Sequence, residues 1–166
     1  MNKDYFAKVK ELGIIEICEE FRKEGKIKYL GFSFHDSYEV FDEILNHYHW
    51  DFCQIQFNYM DTEIQAGLKG YELAKAKDIP LIVMEPIKGG LLAKLPKEIS
   101  MMFSQNGNRK SDSSYALRYI ASFDHVKVIL SGMSTLEQVE DNLDTFNNYT
   151  AVSYTHLRAH ETLMNL

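Results

Sequence analysis

The sequence predicts an α/β protein built on a parallel sheet, and three observations lead there. Short β-branched and apolar runs alternate with longer stretches of helical period. Glycine, proline or a helix-capping residue marks most of the junctions between them. Polar and glycine-rich residues gather at the carboxyl end of each run, while Lys26, Asp51, Pro80 and His125 at the opposite ends look like ordinary surface.

The elements follow in order. Residues 16–24 place Ile17 and Phe21 on one helical face and stop at Gly25. Residues 27–34 read as the first strand, and Asp36 with Glu39 opens a helix through about Tyr48. A second strand covers 52–57, and a helix over 62–77 is closed by Asp78-Ile-Pro80. The third strand is 81–84, a helix spans 111–122, and the fourth strand is 126–130. Ser134 with Glu137 three residues on matches a capping box, which starts the last helix, 134–146. No short-period repeat and no low-complexity linker interrupts this pattern.

Composition narrows the function classes. A chain of 166 residues suits one domain of roughly 100–200 residues, and at 45% hydrophobic it can fill a core. A net charge of −6 without a basic face argues against nucleic acid. No run approaches the roughly 18 apolar residues of a membrane helix, and Met1-Asn-Lys-Asp-Tyr5 is no signal peptide. Cys18 and Cys53 are isolated in apolar segments, as reduced thiols of a cytoplasmic protein would be, and neither belongs to a metal-ligand cluster.

The stretch Ile129 to Asn142 is the most specific. A buried strand runs into Gly132, then into a capped helix. A helix N-terminus beside a glycine turn presents free N–H groups and the positive end of a dipole, which suits a phosphate. The same pattern also fits an ordinary strand-to-helix connection. Four strand–helix units form either an open doubly wound sheet or half of an eight-stranded barrel. Barrels carry their chemistry at the strand carboxyl ends and often bind phosphate after the last two strands. The polar residues are placed that way: Ser33-Phe-His-Asp36, then Gln54, Gln56, Asn58 and Tyr59, then Glu85 to Gly90, then Ser131 to Ser134.

Four linked motifs add a resemblance. Gly25-Lys-Ile-Lys-Tyr-Leu-Gly-Phe-Ser33, Gln54-Ile-Gln-Phe-Asn-Tyr59, Glu85-Pro-Ile-Lys-Gly-Gly-Leu-Leu92 and Leu130-Ser-Gly-Met-Ser134 with Asp141-Asn142 occur in order. Over residues 1–150 they resemble the C-terminal half of an aldo-keto reductase, strands five to eight of a TIM (β/α)8 barrel. The wording is most similar to the prokaryotic branch that often carries a C-terminal iron–sulfur extension. The resemblance implies hydride transfer between NADP or NAD and a small carbonyl or alcohol substrate. It also implies that the catalytic tyrosine, aspartate, lysine and histidine lie on the first four strands, outside this chain.

What the resemblance implies for the cofactor falls on named residues. Ser33 and Gln54 would meet the nicotinamide amide, with Phe34 where an asparagine is usual. Met84 stands where many members stack a tyrosine on the ring. Glu85, Pro86, Ile87, Lys88, Gly89, Gly90 and Leu91 would form the loop beside the pyrophosphate, with Lys88 supplying charge. Gly132, Met133 and Ser134 would meet the adenosine phosphate, and Asp141 with Asn142 the adenine. Gln138 replaces the arginine that grips a 2′-phosphate in many relatives, which leaves NADP against NAD open. His35, Asn58 and Tyr59 would line the substrate side, while His47 and His49 read as solvated.

Two expectations concern extent. Half a barrel would expose the edges and inner faces of its strands, and residues 151–166 depart from the family's final helix and read as a non-native tail. An iron–sulfur cluster would then belong to a full-length parent, not to this chain. Two other readings share the phosphate pattern: a lyase or isomerase on a phosphate-binding barrel, and a non-catalytic nucleotide-binding module.

Overall fold

The structure, a computed structural model, describes residues 1–104 and 110–149; the expectation of a foreign tail at 151–166 lies outside the described residues. Among these, four strands form one sheet: β1 (Gly31–Ser33), β2 (Phe52–Gln56), β3 (Leu81–Met84) and β4 (Val126–Ile129). They lie side by side in chain order, and every neighbouring pair is parallel. A doubly wound sheet reverses its strand order partway. This one does not, which is the order a barrel segment has.

Helices α1 (Lys3–Glu11) and α2 (Ile14–Lys23) precede the sheet. The crossovers are made by α3 (Tyr38–His47), α4 (Gly67–Ala76), and α5 (Lys97–Ser104) with α6 (Asp112–Ala121). Helix α7 (Leu136–Asn147) follows β4. Alternation along β2 and β3 decides which way the sheet faces. Phe32, Cys53, Ile55, Leu81 and Val83 are buried against the helices, whereas Ser33, Gln54, Gln56 and Met84 point to the other, half-open face.

The core is strongly aromatic. Phe34 and Phe41 meet edge to face at 5.0 Å, and Phe57 meets Phe123 at the same separation. Trp50 stays buried because its indole N–H donates to the Ile44 carbonyl at 2.8 Å. At the amino end of the sheet, Asp51 accepts from the Leu30 N–H at 2.7 Å and pairs with Arg22. Arg22 also holds Glu19 at 3.2 Å, and Glu19 in turn accepts from Tyr48.

Several boundaries differ from the expected ones, each for a local reason. The first strand, expected over 27–34, is ordered only from Gly31 to Ser33. Gly31 pairs with Phe52, so residues before it have no strand beside them. Helix α4 starts at Gly67 rather than at 62. Gly67 has φ of 54°, and a Cβ there would sit 2.3 Å from the Thr62 carbonyl oxygen. Ser37, not Asp36, stands at the N-cap position of helix α3, without a side-chain capping bond, and the Asp36 carboxylate instead accepts the N–H groups of Lys3 and Ser37, each at 2.8 Å. The cap of helix α7 lies one residue later than expected: its capping box is Thr135 with Gln138, not Ser134 with Glu137, and the helix starts at Leu136. Helices α1 and α5 have no counterpart among the expected elements.

Helix α2 confirms a shared apolar face but not a covered one. Ile14, Ile17 and Phe21 all remain exposed, as do Val128 and Leu130 at β4 and Leu136, Leu143 and Phe146 on α7.

Gly67→Ala is expected to destabilise the fold by roughly 1–3 kcal/mol, since alanine must adopt a left-handed backbone against a carbonyl. Urea unfolding followed by circular dichroism measures it. An unchanged midpoint would show that the α4 entry relaxes freely.

Candidate functional site

Beyond Met84 the chain leaves β3 through a backbone that few sequences tolerate. Glu85, Lys88, Gly89 and Gly90 have φ of 56°, 50°, 60° and 93°, and residues Lys88–Ala93 coil in short 3-10 turns. Glycine accepts this conformation freely; glutamate and lysine do not. Beyond Ile129, β4 leaves through Ser131 and Gly132 into the α7 cap. The two exits face one another across a cavity of about 590 Å3.

Most of the expected cofactor residues meet there. Glu85, Pro86, Ile87, Gly89 and Gly90 form one wall. Gly132, Met133, Gln138, Asp141 and Asn142 form the other. Sequence reasoning missed Ala93, Lys94 and Ser113, which also line it, and gave no contact to Leu130 and Ser131, which do so as well. Lys94 brings a cation to the wall, and it carried no signal beyond being the polar end of a Leu-Leu-Ala run. Lys88, Leu91 and Ser134 are not in the lining.

Side-chain bonds orient the second wall. The Gln138 carboxamide oxygen accepts from the Ser134 N–H at 2.7 Å, the Ser134 hydroxyl at 3.3 Å and the Thr135 N–H at 3.3 Å. It thus satisfies donors at the helix start that an anion would otherwise find free. Asp141 accepts from the hydroxyls of Ser111 and Ser113 at 2.6 and 2.8 Å, which ties α7 to the start of α6. Asn142 donates to the Ser131 hydroxyl at 3.0 Å.

A second set lies on the open face of the sheet. Ser33 and Gln54 are register partners on β1 and β2, and the Gln54 amide donates to the Ser33 hydroxyl at 3.2 Å. Met84 completes the row, with its sulfur 3.4 Å from the Gln54 amide nitrogen and 3.9 Å from the Ser33 hydroxyl. Phe34, one residue beyond Ser33, turns the other way into the core, fully buried.

The three residues expected on the substrate side separate. His35 is exposed beside this face. Asn58 and Tyr59 are buried, at 0% and 3% exposure, so neither presents an open surface. Burial, and then the charge of Asp112, push the Tyr59 phenol far above its ordinary value and keep it protonated. Asn58 donates to the Asp61 carboxylate at 2.9 Å and to the Glu85 carbonyl at 3.2 Å.

Asp61 is the polar centre that sequence reasoning missed. It is 1% exposed, accepts from Gln56 at 2.8 Å, and forms an ion pair with Lys88. Lys88 therefore turns toward Asp61 instead of supplying charge to the cavity as expected. Burial opposes ionisation of Asp61, but the hydrogen bonds from Lys88, Asn58 and Gln56 override it and hold the carboxyl below its ordinary value. The Asn-x-x-Asp spacing after β2, a turn signature, was the available signal.

Comparison with known proteins adds the family. A family model described as the aldo/keto reductase family matches residues 4–161, a span that runs past residue 151. No curated protein matches the sequence. Among solved structures, the holo form of an aldo-keto reductase from Bacillus halodurans is similar at 20% identity and TM-score 0.69, over 87% of this chain and 53% of that one. An aldo-keto reductase from Klebsiella pneumoniae in complex with NADPH gives 16% identity and TM-score 0.70, over 90% and 52%. Another from the same organism, in complex with NADP and acetate, gives 18% and 0.69, over 88% and 51%. At such identities the likeness is one of fold. The chain spans about half the length of these structures.

Acid should act on this site through Asp61. Its pKa is lowered in the folded state, so its contribution is present above the unfolded value of about 3.9 and is lost as pH falls through the lowered folded value. Thermal melts from pH 7 to pH 3 are expected to fall less steeply at the acid end for Asp61→Asn than for the parent chain. Parallel acid slopes would show that Asp61 is not held ionised by its neighbours.

Proposed function

The chain belongs to the aldo/keto reductase family, and on that premise we propose that it is the cofactor-binding half of an NAD(P)-dependent oxidoreductase. The parent activity is hydride transfer between a nicotinamide cofactor and a small carbonyl or alcohol substrate in the cytoplasm. The observation that carries this reading is the cavity in which the β3 and β4 exits meet.

The residues present fit a dinucleotide. Gly90 and Gly132 have open space where a Cβ would stand, so a phosphate can approach their backbone closely. Lys94 supplies a cation in the wall, and the α7 N-terminus adds the positive end of its dipole. Asp141 and Asn142, already oriented by serine hydroxyls, offer polar edges to the adenine end. At the other end, Ser33 and Gln54 present a hydroxyl and an amide to the nicotinamide carboxamide, and the Met84 thioether packs beside the ring. His35 borders the substrate, with Asn58 and Tyr59 supporting that rim from behind. When bound, the nicotinamide supplies the hydride. The residues of this chain hold and orient it and keep its phosphates away from water.

We place residues 1–150 as strands five to eight of the barrel. The outer edges of β1 and β4 carry no partner strand among the described residues, and Val128 and Leu130 stand exposed at β4. A second half-barrel would pair both edges and cover Ile17, Phe21, Val128 and Leu130. The proton donor at the carbonyl oxygen belongs to that second half, so hydride transfer requires both.

Fluorescence titration with NADPH and NADH tests the reading. The 166-residue chain is expected to bind NADPH without reducing a carbonyl substrate, and Lys94→Ala to weaken NADPH by about tenfold through a lost charge-assisted bond. Gln138→Arg should shift preference toward NADPH, against a loss of about 1 kcal/mol in helix capping. Absence of nucleotide binding, or turnover by this chain alone, would overturn the assignment.

A further inference from the structure

Two non-glycine residues in the β3 exit hold left-handed backbones, Glu85 and Lys88. Each is pinned by a buried polar group from the turn after β2. The Glu85 carbonyl accepts from Asn58, which is 0% exposed, at 3.2 Å. The Lys88 ammonium pairs with Asp61, which is 1% exposed. The two anchors are themselves interlocked. Asn58 donates to the Asp61 carboxylate at 2.9 Å and accepts from the Asp61 N–H at 3.0 Å, while Gln56 donates to the same carboxylate at 2.8 Å. Gln65 closes the chain of bonds by donating to Gln56 at 3.1 Å.

A strained backbone persists only where its surroundings over-determine it. The loop's own bonds are short-range ones: Lys88 N–H to the Glu85 carbonyl at 3.1 Å, Gly90 N–H to the Ile87 carbonyl at 3.0 Å, Leu92 N–H to the same carbonyl at 3.1 Å, and Gly89 N–H to the Glu85 carboxylate at 2.5 Å. None of these fixes the loop to the rest of the fold. Pro86 and Leu92 anchor it by burial, and Asn58 and Asp61 are its polar anchors at the two left-handed residues. Lys88 also turns its charge away from the cavity, which leaves the neighbouring backbone facing it.

We infer that Asp61, acting through Lys88 and together with Asn58, is the positioning residue that holds the loop 85–90 in the shape of one cavity wall. It touches no ligand. It sets where Gly89 and Gly90 stand, and so the affinity of the wall for a phosphate. The part of this inference that concerns affinity rests on the nucleotide reading; the part that concerns the loop does not.

Amide hydrogen exchange on the full chain separates the two. Asp61→Asn is expected to speed exchange at Gly89 to Leu92 by about tenfold or more, leaving β2 and β3 amides unchanged, and to weaken NADPH about tenfold. Lys88→Gln leaves Asp61 held by Gln56 and Asn58, and must loosen the same amides even if Asp61→Asn folds poorly. Adding Lys88→Gly to Asp61→Asn removes the left-handed strain, so affinity should recover, which a general loss of stability would not allow. Unchanged loop exchange in both single variants, or acceleration spread over the whole chain, overturns the inference. If the parent chain binds no NADPH while loop exchange responds as stated, the positioning role stands and the nucleotide reading fails.

Discussion

Everything in this structure depends on helices packing against one face of the sheet only. Strands in chain order, each followed by a crossover on the same side, must turn alternate residues toward those helices and the rest away from them. The packed face takes Phe32, Cys53, Ile55, Leu81 and Val83. The other face is then free for Ser33, Gln54, Gln56 and Met84, which could not be buried among aromatic rings without losing their partners. Chemistry collects on the open face and the carboxyl ends because the stability of the fold is built on the other side.

The two exits from the sheet solve the same problem differently. At β4 the chain turns at Gly132 and enters a helix whose cap, Thr135 with Gln138, satisfies its own donors. At β3 the chain stays irregular, and its shape is maintained from outside by a buried carboxylate and a buried amide. The first wall is locally encoded and the second is borrowed from the turn after β2. A single aspartate next to a lysine makes that borrowing specific: the pair is shielded from water on the Asp61 side and open on the Lys88 side.

This division explains how much could be read from the sequence. The α/β class and the glycine-rich exits rest on local patterns of apolar runs and breakers, and these were legible, whereas those patterns alone fit both a doubly wound order and a barrel order. The start of β1 was not, because pairing begins only where Phe52 lies opposite Gly31. Helix α2 has a clear apolar stripe, and periodicity alone could not tell that Ile17 and Phe21 would stay uncovered. Helix α1 buries only Phe6 and α5 has eight residues, so neither gave a strong period. The glycine-rich stretches 85–90 and 131–134 stood out because each is a short contiguous motif, whereas Lys94 and Ser113 reach the cavity from segments with no such signal. Lys88 was misdirected for the opposite reason: its partner is 27 positions away, and no short motif joins them.

Strand order carries one more consequence, for how the chain reaches this shape. Within this sheet each strand pairs with the strand made just before it, so none of the three described pairings has to wait for a distant segment. Loop closure is therefore paid in crossover-sized steps rather than across the whole length. A chain growing from a ribosome can dock β2 on β1, then β3 on β2, as each helix emerges between them. Until β3 and its loop arrive, the Asp61 carboxylate has no lysine to meet. The wall of the cavity is thus among the last parts of the sheet's carboxyl rim to take its final form.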